Sequence, residues 1–170
     1  MRKLALLTMA GALFGASGAA AQSSVNASAS ITIPTVLEIN VTNTTVGFPT
    51  PVLADFTTGS ILSNTGSSSV STRSNVVHDV EVVTAGGVTT MTYAGTQTPA
   101  PTKAASDLEW STDGGSTWTG LSDTPADVLT ALARGAHSNA ASVDYRMLLD
   151  LATDAPGTYS LAFVYSVVAN

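Results

Sequence analysis

From Tyr159 to the end of the chain, large apolar side chains recur at every second position. Tyr159, Leu161, Phe163, Tyr165 and Val167 alternate with Ser160, Ala162, Val164 and Ser166. That period belongs to a β-strand burying one face, and a helix cannot use it. Val143, Tyr145, Met147, Leu149 and Leu151 repeat the pattern against Asp144, Arg146 and Asp150. Asp154–Gly157 between the two runs reads as a turn, so residues 143–151 and 159–169 are expected to form a C-terminal hairpin. Residues 76–83 and 25–33 alternate as well. Thr45–Phe48 and Val52–Phe56 are shorter strand candidates, Val88–Tyr93 reads as a hairpin strand after Gly86-Gly87, and residues 57–69 and 94–106 read as loops. One segment has helical signals: Thr124 can cap, Pro125 suits the first turn, Asp127 meets the positive dipole end, and Gly135 can terminate. An all-β antiparallel sandwich with one short helix near 124–134 is the expected architecture.

The first residues carry an address. Arg2 and Lys3 precede an apolar run to Phe14, and Ala19-Ala20-Ala21 offers a small-residue cleavage site. Residues 1–21 are therefore expected to be a removed signal peptide. Residues 22–170 would then be one exported domain, periplasmic, surface-bound or extracellular. No stretch approaches the length of a membrane span. Without Arg2 and Lys3, four basic residues face twelve acidic ones, a net charge of −8. Such a chain repels nucleic acid. It has no cysteine, so its stability has to come from packing and sheet hydrogen bonds.

Chemistry is thinly signalled. Ser111-Thr112-Asp113-Gly114-Gly115-Ser116-Thr117-Trp118 matches the Asp-box pattern Ser-x-Asp-x-Gly-x-Thr-Trp. The motif resembles those of sialidase-type propellers, which need far more strands than this chain can supply. Its physical content is a hairpin turn braced by Asp113. Asp107, Glu109, Asp113, Asp123 and Asp127 cluster around it, but no loop of EF-hand spacing holds them for Ca²⁺. His78 lies beside Asp79 and Glu81 in text, yet alternation puts the imidazole on the opposite strand face. His137 is distant in sequence. No nucleophile elbow, phosphate loop or zinc spacing is present. The reading is a non-enzyme without cofactor. Trp110 and Trp118, with Tyr93 as a neighbour, are candidate glycan-stacking residues.

Two ends of the mature chain carry a family likeness. Ser28-Ala-Ser-Ile-Thr-Ile33, Thr45-Val-Gly-Phe48 and Pro156-Gly-Thr-Tyr-Ser-Leu-Ala-Phe-Val-Tyr165 resemble the pilin-like sandwiches of bacterial surface proteins, including chaperone–usher subunits and spore-coat U-type domains. The Asp-x-x-Gly-x-Tyr entry at 154–159 resembles the tyrosine corner of immunoglobulin-like sandwiches. The likeness implies an immunoglobulin-like fold one strand short, completed by strand addition. The family's cysteine pair is absent here. The expected assembly edge is Tyr159, Leu161, Phe163 and Tyr165. It would be covered by a donor or edge strand within residues 22–33 that presents Val25, Ala27, Ala29, Ile31 and Ile33, from the same chain or from another copy. The expected function is a structural or assembly subunit of the cell surface or of a filament, with a carbohydrate-binding module as the alternative.

Overall fold

The computed structural model describes residues Asn26–Asn170. The signal-peptide reading of residues 1–21, and Val25 of the expected donor strand, lie outside them. Asn26–Ile33 form no strand and are exposed, with Ile31 at 84% and Ile33 at 71% of full exposure. The strand expected over 25–33 is thus corrected for its described part. A lone strand leaves its ladder groups unpaired, and alternation alone cannot hold it. The compact unit is Pro34–Asn170.

That unit runs β1 (Leu37–Val41), α1 (Leu53–Thr58), β2 (Ser60–Leu62), β3 (Ser68–Ser74), β4 (His78–Thr84), β5 (Thr92–Ala94), β6 (Leu108–Ser111), β7 (Thr119–Gly120), β8 (Ala126–Leu132), β9 (Gly135–Leu148), β10 (Thr158–Ser160) and β11 (Phe163–Ala169). One sheet has the order β1-β3-β9-β6-β7, with β2 also on β9; a second is β11-β4-β8, and β10 pairs with β5. Every pairing is antiparallel. The core lies between the two larger sheets. Val70, Trp110, Val143 and Tyr145 come from the first, and Val80, Val82 and Val128 from the second. The all-β sandwich expectation holds.

Several local expectations do not. Residues 126–132 form strand β8, not a helix, and only Val128 among them is buried. A helix of about three turns is marginal by itself, whereas the free side of β4 offers ladder partners, taken up with two register shifts. The helix lies instead at Leu53–Thr58, where a strand was expected. There the Asp55 carboxylate accepts from the Val52 N–H at 2.8 Å, and the Gly59 N–H caps the Asp55 carbonyl at 2.8 Å. Thr45–Phe48 is irregular, although Val46 and Phe48 pack on the core.

The C-terminal hairpin is also corrected. β9 ends at Leu148 and pairs with β3, β6 and β2, while β11 crosses to the other sheet and pairs with β4 from Phe163↔Thr84 to Ala169↔His78. Leu151 is exposed in the connection. Crossing lets both apolar faces look inward, since Tyr145 and Phe163 meet across the core with ring centroids 5.8 Å apart. β5 likewise makes no hairpin with β4; it pairs with β10, Tyr93 opposite Tyr159.

Candidate functional site

The last strand enters through the hydrogen bond expected of a tyrosine corner. The Tyr159 hydroxyl donates to the Ala155 carbonyl at 3.0 Å and accepts from the Ala155 N–H at 3.0 Å. Tyr93 stacks on Tyr159 at 5.2 Å and donates to the Pro156 carbonyl at 2.7 Å. This places Tyr93 at the corner and away from the tryptophans. A Cβ at Gly157 would stand 2.3 Å from the Tyr93 ring, so the close approach requires glycine there.

Beyond the corner, β11 is an edge. β4 pairs along one side, and no other described strand hydrogen-bonds along the other, where β1 of the facing sheet approaches it. The run expected as one strand over 159–169 is divided: Tyr159 lies in β10, Leu161 in the link after it, and Phe163 and Tyr165 in β11, yet these four are half-buried while Ser160, Ala162 and Val164 are exposed, as the alternation requires. The four inward residues line two hollows of about 350 and 270 Å³, which share Thr44 and Phe163. Together these form an open seam between edge strand β1, which contributes Val41, and edge strand β11. Its floor is polar at one point. Tyr165 and Tyr145 share a hydroxyl hydrogen bond of 2.7 Å, Tyr145 donates to Ser68 Oγ at 3.1 Å, and Ser68 donates to the Asn43 carbonyl at 3.0 Å. Burial pushes both phenols above their ordinary range, Tyr165 far above it.

The Asp-box forms as the spacing demands. β6 and β7 pair around it, and Asp113 Oδ1 accepts from the N–H groups of Ser116 and Thr117, each at 2.9 Å. Thr117 Oγ1 and Ser111 Oγ donate to the same carboxylate at 2.5 and 2.7 Å. These bonds, led by the Thr117 hydroxyl, hold the exposed Asp113 carboxyl well below the usual carboxylate range. Both carboxylate oxygens accept from within the turn, so Asp113 braces the hairpin.

The two tryptophans separate. Trp110 is 6% exposed, and its Nε1 has no hydrogen-bond partner among the described residues. It is a core anchor and cannot stack on a glycan, which corrects that candidate. Trp118 is half-buried, with the Arg146 guanidinium 4.7 Å from its ring centre. Arg146 is paired with Glu109 directly across the β6–β9 ladder. Trp118, Arg146 and Asp144 border a hollow of about 840 Å³ that reaches β2. Arg146 and Asp144 sit on the outward face of β9, and only the sheet register brings them to the Asp-box.

His78 is fully buried, with ring nitrogens 2.9 Å from Thr72 Oγ1 and 3.2 Å from the Val76 carbonyl. His137 lies in β9 with its ring 5.8 Å away, so the fold joins two histidines that the sequence separates. Asp79 faces outward as expected and accepts from the Ala131 N–H at 2.6 Å and Asn170 Nδ2 at 2.8 Å. It ties a β8 irregularity to the strand end. Among the described residues, no three histidine or acidic side chains converge on one point. No family model, curated protein or solved structure matches the chain.

Proposed function

We propose that this protein is an exported, non-enzymatic assembly subunit whose copies join by strand addition, with the immunoglobulin-like, pilin-like fold that the sequence resembles. One observation carries the reading: an edge strand whose inward side chains line an open apolar seam coexists with an exposed segment of alternating apolar residues. Ala27, Ala29, Ile31 and Ile33 of one copy would fill alternate positions over Tyr159, Leu161, Phe163 and Tyr165 of the next. The ladder bonds of β11 would supply affinity and the seam would supply specificity. Head-to-tail pairing of this kind is heterologous, and where its rotation does not close a ring it builds linear oligomers.

The test is oligomeric state against concentration for the mature chain and for an Ile31→Asp/Ile33→Asp variant. The reading expects linear oligomers that the variant abolishes, and a 22–33 peptide that caps them. A wild-type monomer at every concentration, indifferent to the peptide, overturns it. A glycan-binding reading draws on the hollow beside Trp118 alone. A glycan array comparing the wild type with Trp118→Ala tests it, and no Trp118-dependent signal rejects it.

A further inference from the structure

Lys103 is the sole lysine beyond Lys3 in a chain with twelve acidic residues. It is 4% exposed. Its Nζ lies 2.8 Å from both carboxylate oxygens of Asp154 and 3.3 Å from Asp107 Oδ2. The Tyr159 ring centre is 5.9 Å from the amine.

Both ends of this pair are held by the backbone. The Lys103 carbonyl accepts from the Met91 N–H at 2.8 Å, and the neighbouring Ala105 N–H donates to the Thr89 carbonyl at 2.8 Å. The Asp154 N–H donates to the Asp150 carbonyl at 2.9 Å, and its Oδ2 accepts from the Asp150 N–H at 3.0 Å. An amine equidistant from both oxygens of a fixed carboxyl sits against the carbon between them. Proximity of this kind, once the lone pair is aligned on the carbon, is what gives intramolecular reactions effective molarities of about 10⁵ M or more. A buried ion pair also carries a desolvation cost that a neutral product would not.

We propose that Lys103 and Asp154 condense into an intramolecular isopeptide bond, with Asp107 as the proton carrier. One proton passes directly from the Lys103 ammonium to the Asp154 carboxylate, leaving a neutral amine against a carboxylic acid. The freed Nζ lone pair attacks Cγ of Asp154, and the N–C bond forms. Asp107 then takes the second proton from the nitrogen of the tetrahedral adduct and delivers it to the departing hydroxyl as the C–O bond breaks, so that water leaves. One ammonium and one carboxylate become one amide and one water, with no change in net charge and no co-reactant. The product links the β5–β6 loop to the turn before β10, covalently bracing the corner from which the assembly edge emerges. It does not depend on the proposed assembly.

Intact mass of the purified, denatured protein is the decisive measurement. The expected wild-type mass is one water below that of the same chain uncondensed. Fragmentation of a protease digest should then yield a branched peptide joining Lys103 to Asp154. Asp107→Asn and Lys103→Arg should both restore the full mass, and an amine-reactive label should reach residue 103 only in Asp107→Asn. A wild-type protein of full mass, or a water loss that maps elsewhere, such as a succinimide at Asp113-Gly114, overturns the proposal whether or not the variants fold.

Discussion

Replacing Tyr145 by Phe breaks a hydroxyl chain at its middle. Protons run one way along it, from Tyr165 to Tyr145 to Ser68 to the Asn43 carbonyl. Tyr145 is 2% exposed, so water does not replace what is lost. Tyr145→Phe strands the Tyr165 hydroxyl, for about 1–3 kcal/mol of stability. Tyr165→Phe removes a terminal donor and leaves Tyr145 still donating, for about 0.5–1.5 kcal/mol. Removing both hydroxyls leaves neither phenol stranded, so the double variant should cost less than the two singles together, with a coupling of about 1 kcal/mol. Urea unfolding of all four proteins measures this cycle, and melting temperatures should move by about 2–4 °C per kcal/mol. pH gives a second readout. Both phenols have folded pKa values raised by burial, so their stabilisation is complete below the unfolded value of about 10 and is lost as pH rises beyond it. The slope is about 1.4 kcal/mol per pH unit for each group, and the double variant should flatten it. A Tyr145→Phe protein as stable as the wild type, with strictly additive costs and an unchanged alkaline profile, would refute the hydroxyl-chain argument.

Three further outcomes follow from the site geometry. His78→Ala empties a fully buried position and orphans Thr72 Oγ1; an expected loss of about 3 kcal/mol is readable by urea unfolding. Asp113→Ala should lower the melting temperature at neutral pH and blunt its acid dependence. The lowered carboxyl pKa contributes stability that is present above about pH 4 and lost as pH falls, which a thermal scan from pH 6 to about 2 reads. Gly115→Ala should cost about 1–2 kcal/mol, because φ is +84° there and the new Cβ would lie 2.9 Å from Trp118 Cζ2; the check is near-ultraviolet dichroism together with the melting temperature.

The features legible in the residues alone were local. Alternation identified the inward-facing residues of 159–167 and separated His78 from Asp79 and Glu81 on β4, because a strand's two faces are set by adjacent residues regardless of partner. The Asp-box turn was legible for the same reason, since Ser111, Asp113 and Thr117 satisfy one another within seven residues. The Asp154–Tyr159 entry likewise announced its own hydrogen bond. Partner choice was not legible. Whether β11 continues the sheet of β9 or crosses to β4 depends on which arrangement buries Tyr145 and Phe163 together, and neither strand records that alone. The 126–132 segment carried real helix signals, but the open ladder of β4 outweighed a short helix. His137 against His78, Arg146 over Trp118, and Lys103 between two aspartates are long-range meetings. Sheet register and loop packing create them, and nothing in the neighbouring sequence announces them. Side-chain chemistry is written residue by residue, but which groups share a low-dielectric space is decided only when distant strands pack.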